Sequence, residues 1–279
     1  MIEKGWIMKN TIKDKVVLIT GASEGIGREL SYQFASQQVK LVLASRNLEA
    51  LEHLTQECLQ KGAETIFVKT DVSSSEDCKR MIDFAIGKFG KIDILIQCAG
   101  ISMSAPFESV QDLGIFEKLM SVNYLGIVYS SYYALSHLKK TKGLIVNISS
   151  LQGKTGFPGS TGYSASKFAV QGFSDSLRIE LKDTGVDVLV VSPGPIATQM
   201  NFRKFDANGM ISKEKQQTPK KNIMSVSVCG RLILDAIVRR DRELVMTLGG
   251  KFIPLVKLFA PRFVDRLVAN AVEKFYAEV

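Results

Sequence analysis

The chain has 279 residues and a formal net charge of +8, and 46% of its residues are hydrophobic. This length suits one large α/β domain, and the composition is ordinary for a globular protein with a sizeable core. No stretch approaches the roughly 18 consecutive apolar residues that a membrane span requires. The short, charge-punctuated start of the chain is unlike a secretory signal, so we expect a cytoplasmic protein.

The cysteines and histidines give no sign of a metal site. The four cysteines lie far apart without paired metal-ligand spacing, and the chain has only two histidines. We expect no bound metal, and free thiols in a reducing compartment. The cysteines are Cys58, Cys78, Cys98 and Cys229.

Basic residues concentrate in the last part of the chain. Residues 1–199 hold 21 Lys and Arg against 20 Asp and Glu, whereas residues 200–279 hold 15 against 8. Such an asymmetry concerns surfaces and partners rather than the fold. Phosphate contacts with a nucleic acid are one interpretation. No recognition motif accompanies the charge, and a solvated face explains it as well, so we expect no nucleic-acid partner.

Short apolar runs alternate with longer amphipathic stretches along most of the chain. The runs are typical of buried strands, whereas residues 28–37 and the apolar face of Leu48, Leu51, Leu54 and Cys58 predict helices. This alternation indicates a parallel sheet covered on both faces, a doubly wound Rossmann-type fold in three α/β/α layers. The predicted strands cover residues 15–20, 40–44, 65–68, 92–96, 144–148 and 186–191.

Two segments interrupt the alternation. Residues 195–222 are polar, lack clear periodicity and exceed an ordinary connection, which predicts a mobile lid or substrate loop. Residues 249–279 are apolar and basic and lie outside the sheet pattern. We therefore expect an N-terminal extension (1–12), a single Rossmann-fold domain (13–248) that contains the loop, and a C-terminal extension (249–279).

A glycine-rich turn follows the first predicted strand and opens the first helix. Residues 20–27 read Thr-Gly-Ala-Ser-Glu-Gly-Ile-Gly, and glycines there permit positive φ angles and a close approach to a pyrophosphate. The helix N-terminus adds unpaired N–H groups and a partial positive charge. A glycine turn can also be purely structural, but its place between a strand and a helix favours dinucleotide binding.

The end of the second strand indicates which dinucleotide binds. NAD sites usually place a carboxylate here to bind the ribose hydroxyls, whereas this chain has Ser45 and Arg46. Arg46 can bind a 2′-phosphate through two hydrogen bonds, and Ser45 can donate another. We therefore expect NADP(H) as the cofactor. The alternative is that Arg46 is a solvated surface arginine.

A tyrosine and a lysine four residues apart indicate acid–base chemistry. On a helix Tyr163 and Lys167 share a face. A cation beside a phenol, whose ordinary pKa is about 10, favours the phenolate. Tyr163 can then protonate a developing alkoxide or deprotonate an alcohol. Ser150 ends a predicted strand, where doubly wound sheets bind their ligands, and can polarise the same carbonyl.

Together these residues resemble the short-chain dehydrogenases/reductases over residues 13–246. The matching motifs are, in order, the turn 20–27, Asp71 and Val72, Cys98 to Gly100, Asn123, Ser150, Tyr163 with Lys167, and the run from Pro193 to Thr198. The resemblance implies an enzyme that transfers a hydride between a nicotinamide and a ketone or secondary alcohol. It also implies a homo-oligomer, dimer or tetramer, assembled through the long helices.

The resemblance implies roles for individual residues. Ser150 and Tyr163 hold the substrate oxygen, and Tyr163 transfers the proton. Lys167 binds the nicotinamide ribose and lowers the pKa of Tyr163, while Asn123 helps to order a water that relays protons to Lys167. The residues expected to bind the cofactor are Gly21, Ser23, Gly25, Ile26, Gly27, Ser45, Arg46, Asp71, Val72, Cys98, Ala99, Gly100, Tyr163, Lys167, Pro193, Gly194, Ile196 and Thr198.

One motif departs from the family pattern. Gln97 and Cys98 stand where the family usually has two asparagines, at positions that mainly support the sheet and the adenosine side. The departure puts cofactor affinity in doubt, and we expect the chemistry to be intact. The alternative to an enzyme is a catalytically idle member that binds or senses NADP(H). The filled positions Asn123, Ser150, Tyr163 and Lys167 favour the enzyme.

Apolar residues are available on both sides of the expected pocket. They favour a lipid-like or steroid-like carbonyl substrate, with ordinary loop packing as the alternative. Residues 116–126 and 163–173 also resemble reductases of long-chain 3-keto lipids, including 3-ketosphinganine reductases. The apolar residues in question are Phe157, Pro158, Met200, Phe202, Phe205 and Met210.

The C-terminal extension has three interpretations. Large apolar residues mix with Lys and Arg over residues 252–268. Segments of this kind lie in membrane interfaces with their basic groups against anionic headgroups. The same composition suits a subunit interface or a cover over the mouth of the pocket.

Overall fold

A parallel sheet with helices on both faces organises the protein, in a computed structural model that describes residues 12–211 and 223–277. The side chains of residues 201–202 and 273–277 are outside this description. The strands are β1 (Val16–Thr20), β2 (Lys40–Ser45), β3 (Glu64–Lys69), β4 (Ile94–Gln97), β5 (Ser102–Met103), β6 (Leu144–Ile148), β7 (Asp187–Ser192), β8 (Lys204–Phe205) and β9 (Glu243–Val245). The helices are α1 (Gly25–Ala35), α2 (Leu48–Gln60), α3 (Ser75–Phe89), α4 (Gly114–Met120), α5 (Gly126–Thr141), α6 (Thr161–Glu180), α7 (Val226–Arg239), α8 (Leu248–Phe259) and α9 (Pro261–Ala277).

The strand order creates a switch point in the sheet. The seven strands run β3-β2-β1-β4-β6-β7-β9, and every pairing is parallel. The chain moves outward from β1 to β3 and then returns to place β4 on the other side of β1. Ligands of doubly wound sheets bind at the carboxyl ends of the strands beside such a point. A separate parallel pair, β5 with β8, lies outside this sheet.

The apolar strands are explained by burial on both faces of the sheet. In β1, Val17 and Ile19 pack into the core on one face, and Val16 and Leu18 into the core on the other. Because side chains alternate along a strand, a sheet covered by helices on both sides requires an apolar residue at nearly every position. Each such residue contributes about 1.5–3 kcal/mol when fully buried.

The predicted fold class is confirmed, and each predicted strand is found within two residues of its expected limits. The first helix begins at Gly25 rather than residue 28, because the end of the glycine-rich turn is already helical. The edge strand β9 was not predicted, since it is short and only half-buried.

The two segments outside the pattern are partly described. The first contains a 3₁₀ turn (Gln199–Phe202) and β8, and its residues 212–222 lie outside the described ranges. The second forms α8 and α9, and its residues 278–279 lie outside the described ranges. Residues 1–11 of the N-terminal extension also lie outside them. Among the described helices none is long and apolar enough to cross a bilayer. All four cysteines are free thiols.

Candidate active site

The switch point opens into a cavity of about 790 Å³. It lies at the carboxyl ends of β1, β2 and β4, as the strand order requires. The structure brings all the expected cofactor-binding residues together around this cavity. They are Gly21, Ser23, Gly25, Ile26, Gly27, Ser45, Arg46, Asp71, Val72, Cys98, Ala99, Gly100, Tyr163, Lys167, Pro193, Gly194, Ile196 and Thr198.

The glycine-rich turn between β1 and α1 forms a cradle of backbone. Gly21 has a φ of +65°, and a Cβ added there would lie 2.6 Å from the Ala99 nitrogen. A Cβ on Gly27 would lie 2.3 Å from the Gly21 oxygen, so both positions require glycine. Glu24 precedes α1 but does not cap it with its side chain. N–H groups of the first helical turn are therefore left for an anion.

Arg46 is an uncommitted cation at the end of β2. The Ser45 hydroxyl accepts a hydrogen bond from the Asn47 N–H at 3.2 Å. The exposed Arg46 guanidinium has no acidic partner among residues 12–211 and 223–277. Arg28 also lines the cavity, but Glu57 already binds its guanidinium. Arg46 is thus the arginine that can bind a phosphate at this end.

Tyr163 and Ser150 lie together at the other end of the cavity. Burial raises the pKa of Tyr163 to about 12, and a hydrogen bond with Ser150 lowers it by a smaller amount. The phenol therefore carries its proton at neutral pH. Ser150 lies two residues after the end of β6. Its hydroxyl oxygen accepts a hydrogen bond from the Gln152 N–H at 3.1 Å. The hydroxyl hydrogen stays available for another acceptor.

Lys167 lies one helical turn after Tyr163 on α6. Its ammonium is 5.6 Å from the centroid of the Tyr163 ring and donates a hydrogen bond to the Ile148 carbonyl at 2.9 Å. Burial lowers the pKa of Lys167 to about 8. The expected lowering of the Tyr163 pKa by Lys167 is not found here. Burial outweighs any effect of this cation on the phenol.

Asn123 is held in a π-helical turn (Ser121–Leu125) between α4 and α5, a distortion that is frequent at functional sites. Its Oδ1 accepts the Ile101 N–H at 2.8 Å, and its Nδ2 donates to the Ser166 hydroxyl at 2.9 Å. A Cβ on Gly100 would lie 3.3 Å from Asn123 Oδ1 and 3.7 Å from Lys167 Nζ. The two side chains therefore converge behind Gly100, with Asn123 fully buried behind the cavity wall.

The departure at Gln97 and Cys98 has a structural consequence at each position. Gln97 Nε2 donates to Asn147 Oδ1 at 2.9 Å and so links β4 to β6 inside the sheet. Among the described residues no partner satisfies Gln97 Oε1. Cys98 lines the cavity, and burial raises the pKa of its thiol, so the sulfur there is a neutral group.

The loop after β7 closes one side of the cavity. Thr198 lies 3.5 Å from where a Cβ on Gly25 would be, so this loop packs directly on the glycine-rich turn. Further along, Arg203 Nη1 forms an ion pair with Glu24 Oε2 at 2.8 Å. The loop and the turn thus meet across the part of the cavity that the helix N-terminus faces.

The residues expected to contact substrate divide into two groups. Phe157, Pro158 and Met200 line the cavity. Phe205 and Met210 do not: Phe205 packs into a core cluster with Met103, and Met210 is 63% exposed. The expectation was wrong for these two because successive residues of β8 face opposite ways, so that Lys204 and not Phe205 lines the cavity, and because Met210 lies beyond the strand. The Phe202 side chain is outside the described residues.

Several lining residues were not anticipated from the sequence. Glu24 and Arg28 flank the glycines of the turn, Lys204 belongs to β8, and Ala271 and Val272 belong to α9. Charge beside a glycine turn is a signal that could have identified the first two. A cover over the pocket mouth was one of three interpretations of the C-terminal extension, and no local pattern singles out residues 271 and 272, because their place at the cavity depends on how α9 packs.

These features fit a nicotinamide dinucleotide. The glycine cradle leaves room for a pyrophosphate, the uncapped helix start and Arg46 supply positive potential for phosphates, and Ser150, Tyr163 and Lys167 stand at the opposite end. Fold and site together define a doubly wound oxidoreductase of the dinucleotide-binding class.

Comparisons with known proteins identify the family. A short chain dehydrogenase model matches residues 15–209. "11-beta-hydroxysteroid dehydrogenase A" of Arachis hypogaea is 33% identical over 266 residues, which cover 93% of this chain and 76% of that protein. "11-beta-hydroxysteroid dehydrogenase-like 2" of Arabidopsis thaliana is 35% identical over 261 residues, covering 92% and 81%. The chain belongs to the short-chain dehydrogenase family.

A solved structure supports the fold independently. An alcohol dehydrogenase from the archaeon Thermococcus sibiricus, complexed with 5-hydroxy-NADP, superposes with a TM-score of 0.71. The match covers 83% of this chain and 95% of that one at 24% identity. At this identity the likeness concerns the fold alone. Members of the family are oxidoreductases that bind a nicotinamide cofactor and act on small molecules.

Proposed function

We propose that this protein is an NADP(H)-dependent reductase of an apolar, lipid-like or steroid-like ketone, with Tyr163 as the proton donor. The observation that carries the proposal is the meeting of Tyr163, Ser150 and Lys167 at one end of a cavity whose other end holds the glycine cradle and Arg46. A cofactor laid between the two ends would bring its reactive ring to the tyrosine.

Different residues of the cavity have different roles in carbonyl reduction. The nicotinamide cofactor, when bound, supplies the hydride. The Ser150 hydroxyl donates a hydrogen bond to the substrate oxygen and so orients the carbonyl. Tyr163 gives its phenolic proton to the same oxygen as negative charge develops there. A Tyr163 pKa of about 12 favours this direction, because the phenol starts out protonated.

Lys167 and Asn123 restore the proton. Lys167 has a pKa of about 8, so its ammonium can release and regain a proton near neutral pH. Its position over the Tyr163 ring would let it return a proton to the phenolate through a water. Asn123 holds the Ile101 N–H at 2.8 Å, next to Gly100, which adjoins the Lys167 ammonium, and from there it would help to order a water that relays protons to Lys167.

The preference for NADP(H) rests on Arg46. No described residue gives the Arg46 guanidinium an acidic partner, so the guanidinium suits a 2′-phosphate, and Ser45 beside it carries no charge. The archaeal neighbour is described as complexed with 5-hydroxy-NADP, which agrees with this assignment. The apolar substrate rests on Phe157, Pro158 and Met200 in the lining and on relatives that are named for hydroxysteroids.

NADPH consumption with a panel of ketones tests the proposal, with wild type beside Tyr163→Phe. The panel spans 3-keto lipids, steroids and small aromatic ketones. We expect turnover of an apolar ketone that falls about 10²- to 10⁴-fold in the variant, the usual contribution of a general acid, while NADPH still binds. Tight NADPH binding without turnover of any ketone contradicts the proposal. It would favour the alternative, an idle or sensing member of the family.

We further propose that the protein is cytoplasmic and contacts membranes through α8 and α9. Free thiols suit a reducing compartment. The two helices expose Leu248, Phe252, Leu255, Phe259 and Phe263, at spacings that put most of them on one face. Their lysines and arginines suit anionic headgroups. Because α9 also lines the cavity, this face would bring an apolar substrate close to the pocket mouth.

A homo-oligomer is the remaining part of the proposal. The long helices α5 and α6 expose Tyr132 at 74% and Ile179 at 73% of their surface. Gly172, on the outside of α6, has no atom within 4 Å of an added Cβ, so another helix can approach closely. Light scattering of the purified protein should give the mass of a dimer or tetramer, and the mass of a monomer at micromolar concentration contradicts this.

A further inference from the structure

A lysine of the cavity lining, Lys204, has no anionic partner among residues 12–211 and 223–277. Lys204 in β8 lines the cavity and is half-buried. Its ammonium makes no hydrogen bond or ion pair with any residue in the described part of the chain. Burial without a counter-ion lowers the pKa of Lys204, because desolvation penalises the charged form.

The short strand pair fixes the direction of the Lys204 side chain. Its neighbour Phe205 packs into a core cluster with Met103 and Ile115. Because successive side chains of a strand point to opposite faces, Lys204 points away from that cluster and into the cavity. In the pairing of β8 with β5, Lys204 lies opposite Ser102, which also lines the cavity.

The strand partner of Lys204 lies close to the catalytic residues. Ser102 follows Gly100 by two residues, and Gly100 adjoins Asn123 and Lys167. Arg46 follows β2, which is separated from β4 by β1. Two strand spacings of about 4.8 Å put some 10 Å between the two strand ends. The strand partner of Lys204 therefore lies on the side of the cavity away from Arg46, the residue expected to bind the 2′-phosphate.

The acids of the cavity are engaged elsewhere. Glu24 pairs with Arg203 at 2.8 Å, and Asp71 accepts the Ser73 hydroxyl at 2.7 Å. Neither belongs to β5 or to the segment that carries Phe157. Lys204 is thus a desolvated cation that faces the space left for the substrate, among apolar side chains.

We propose that the substrate is an apolar ketone that carries a carboxylate, and that Lys204 binds this carboxylate. The inference rests on the proposed reductase function and narrows its substrate class to amphipathic keto acids. With the carboxylate on Lys204 and the carbonyl at Ser150 and Tyr163, the apolar body of the molecule lies against Phe157. Charge pairing at one end and hydrogen bonding at the other then orient the ketone.

A binding experiment on the NADP⁺-saturated protein tests the assignment. Isothermal titration compares dodecanoate with 1-dodecanol, which share a chain and differ in charge. We expect dodecanoate to bind wild type at least about tenfold more tightly, the usual scale of a charge-assisted hydrogen bond. Lys204→Gln should abolish this advantage, and Lys204→Arg should keep most of it.

A matched control separates the site from general surface charge. Lys118 contacts the Phe205 ring at 5.8 Å but is half exposed and outside the cavity, so Lys118→Gln should bind dodecanoate like wild type. NADP⁺ affinity of Lys204→Gln serves as the check of folding. Equal binding of acid and alcohol, weak binding of both, or an advantage that survives in Lys204→Gln overturns the assignment.

The same variants keep this inference distinguishable from the reductase proposal. Lys118→Gln should reduce ketones like wild type, because Lys118 lies outside the cavity. A dodecanoate preference that depends on Lys204, together with no turnover of any ketone, contradicts only the reductase function. Turnover without any preference for the acid contradicts only the role of Lys204.

Discussion

At the residue scale, we expect Lys167 to set the upper pH limit of activity. Burial lowers its pKa to about 8 from the ordinary 10.5. The ammonium therefore loses its proton as the pH rises through about 8, whereas the Tyr163 phenol keeps its proton up to about 12. We expect kcat/KM for NADPH, which reports the free enzyme, to fall as pH rises above about 8.

Lys167→Arg is the matched variant for this prediction. A guanidinium stays charged throughout the interval, so the variant should be slower but keep a flat profile where wild type declines. Circular dichroism over the same interval excludes unfolding as the cause. A wild-type profile that stays flat between about 8 and 10.5 would show that the ammonium is not required.

We expect Arg46 to determine cofactor preference, and one substitution can test this. A charge-assisted hydrogen bond contributes about 1.5–3 kcal/mol, so Arg46→Ala should weaken NADPH binding about 10- to 100-fold. NADH binding should change little, because NADH has no phosphate at this ribose. Arg80→Ala, an exposed arginine of α3 outside the cavity, is the control. An equal loss for both cofactors in Arg46→Ala contradicts the assignment.

At the scale of elements, the loop after β7 neutralises a charge on the glycine-rich turn. Glu24 lines the cavity and would repel the phosphates of a dinucleotide if it stood alone. Arg203 pairs with it, yet both side chains are about half exposed, at 58% and 46%. An exposed pair contributes only about 0.2–1 kcal/mol. The contact therefore matters more for cofactor affinity than for stability.

A double-mutant cycle measures this contact. Arg203→Gln leaves Glu24 unpaired and should weaken NADPH binding about two- to fivefold, the equivalent of ~0.5–1 kcal/mol. Adding Glu24→Gln to that variant should restore the affinity, because no unpaired carboxylate remains. A double variant as weak as Arg203→Gln alone would assign the effect to lost contacts with the arginine itself.

The sequence predicts strands well and the contacts between distant segments poorly. β1 and β6 are recognisable because burial on both faces demands unbroken apolar runs, as in Leu144–Ile148. β5 and β8 are two residues each and have no such pattern, so the alignment of Ser102 with Lys204 emerges only from the structure. The pairing of Glu24 with Arg203 spans 179 residues of chain and leaves no local signal.

At the scale of the whole molecule, the residues of the family pattern meet at one cavity, but the pattern does not give their protonation. The cavity collects Gly21, Asp71, Ser150 and Tyr163 from separate strand ends, as the switch point of a doubly wound sheet requires. The pKa of Tyr163 depends instead on how much water the folded chain excludes, which local spacing does not encode. Burial there raises the pKa, contrary to the simple expectation from Lys167.

If α8 and α9 bind a membrane as proposed, their exposed face orients the whole molecule on it. Replacing Phe252, Leu255 and Phe259 with serine alters only side chains that are more than half exposed, so the fold should persist. Burial of such a side chain in lipid is worth about 1.5–3 kcal/mol, and the triple variant should bind vesicles containing phosphatidylserine at least about tenfold more weakly. Phe107→Ser is the control, because the Phe107 side chain is 64% exposed but lies outside α8 and α9, and this variant should bind vesicles like wild type.

Vesicle composition and molar mass make this test decisive. Co-sedimentation should be stronger with phosphatidylserine than with phosphatidylcholine alone and should weaken as salt rises, because the basic residues of the two helices act through screened charge. Equal sedimentation of the triple variant and wild type contradicts membrane binding through this face. The face would instead be a subunit interface if light scattering gave the triple variant a lower molar mass than wild type and wild type did not bind vesicles. If the triple variant keeps its molar mass and its activity but no longer sediments with vesicles, α8 and α9 bind lipid beside the mouth of the cavity.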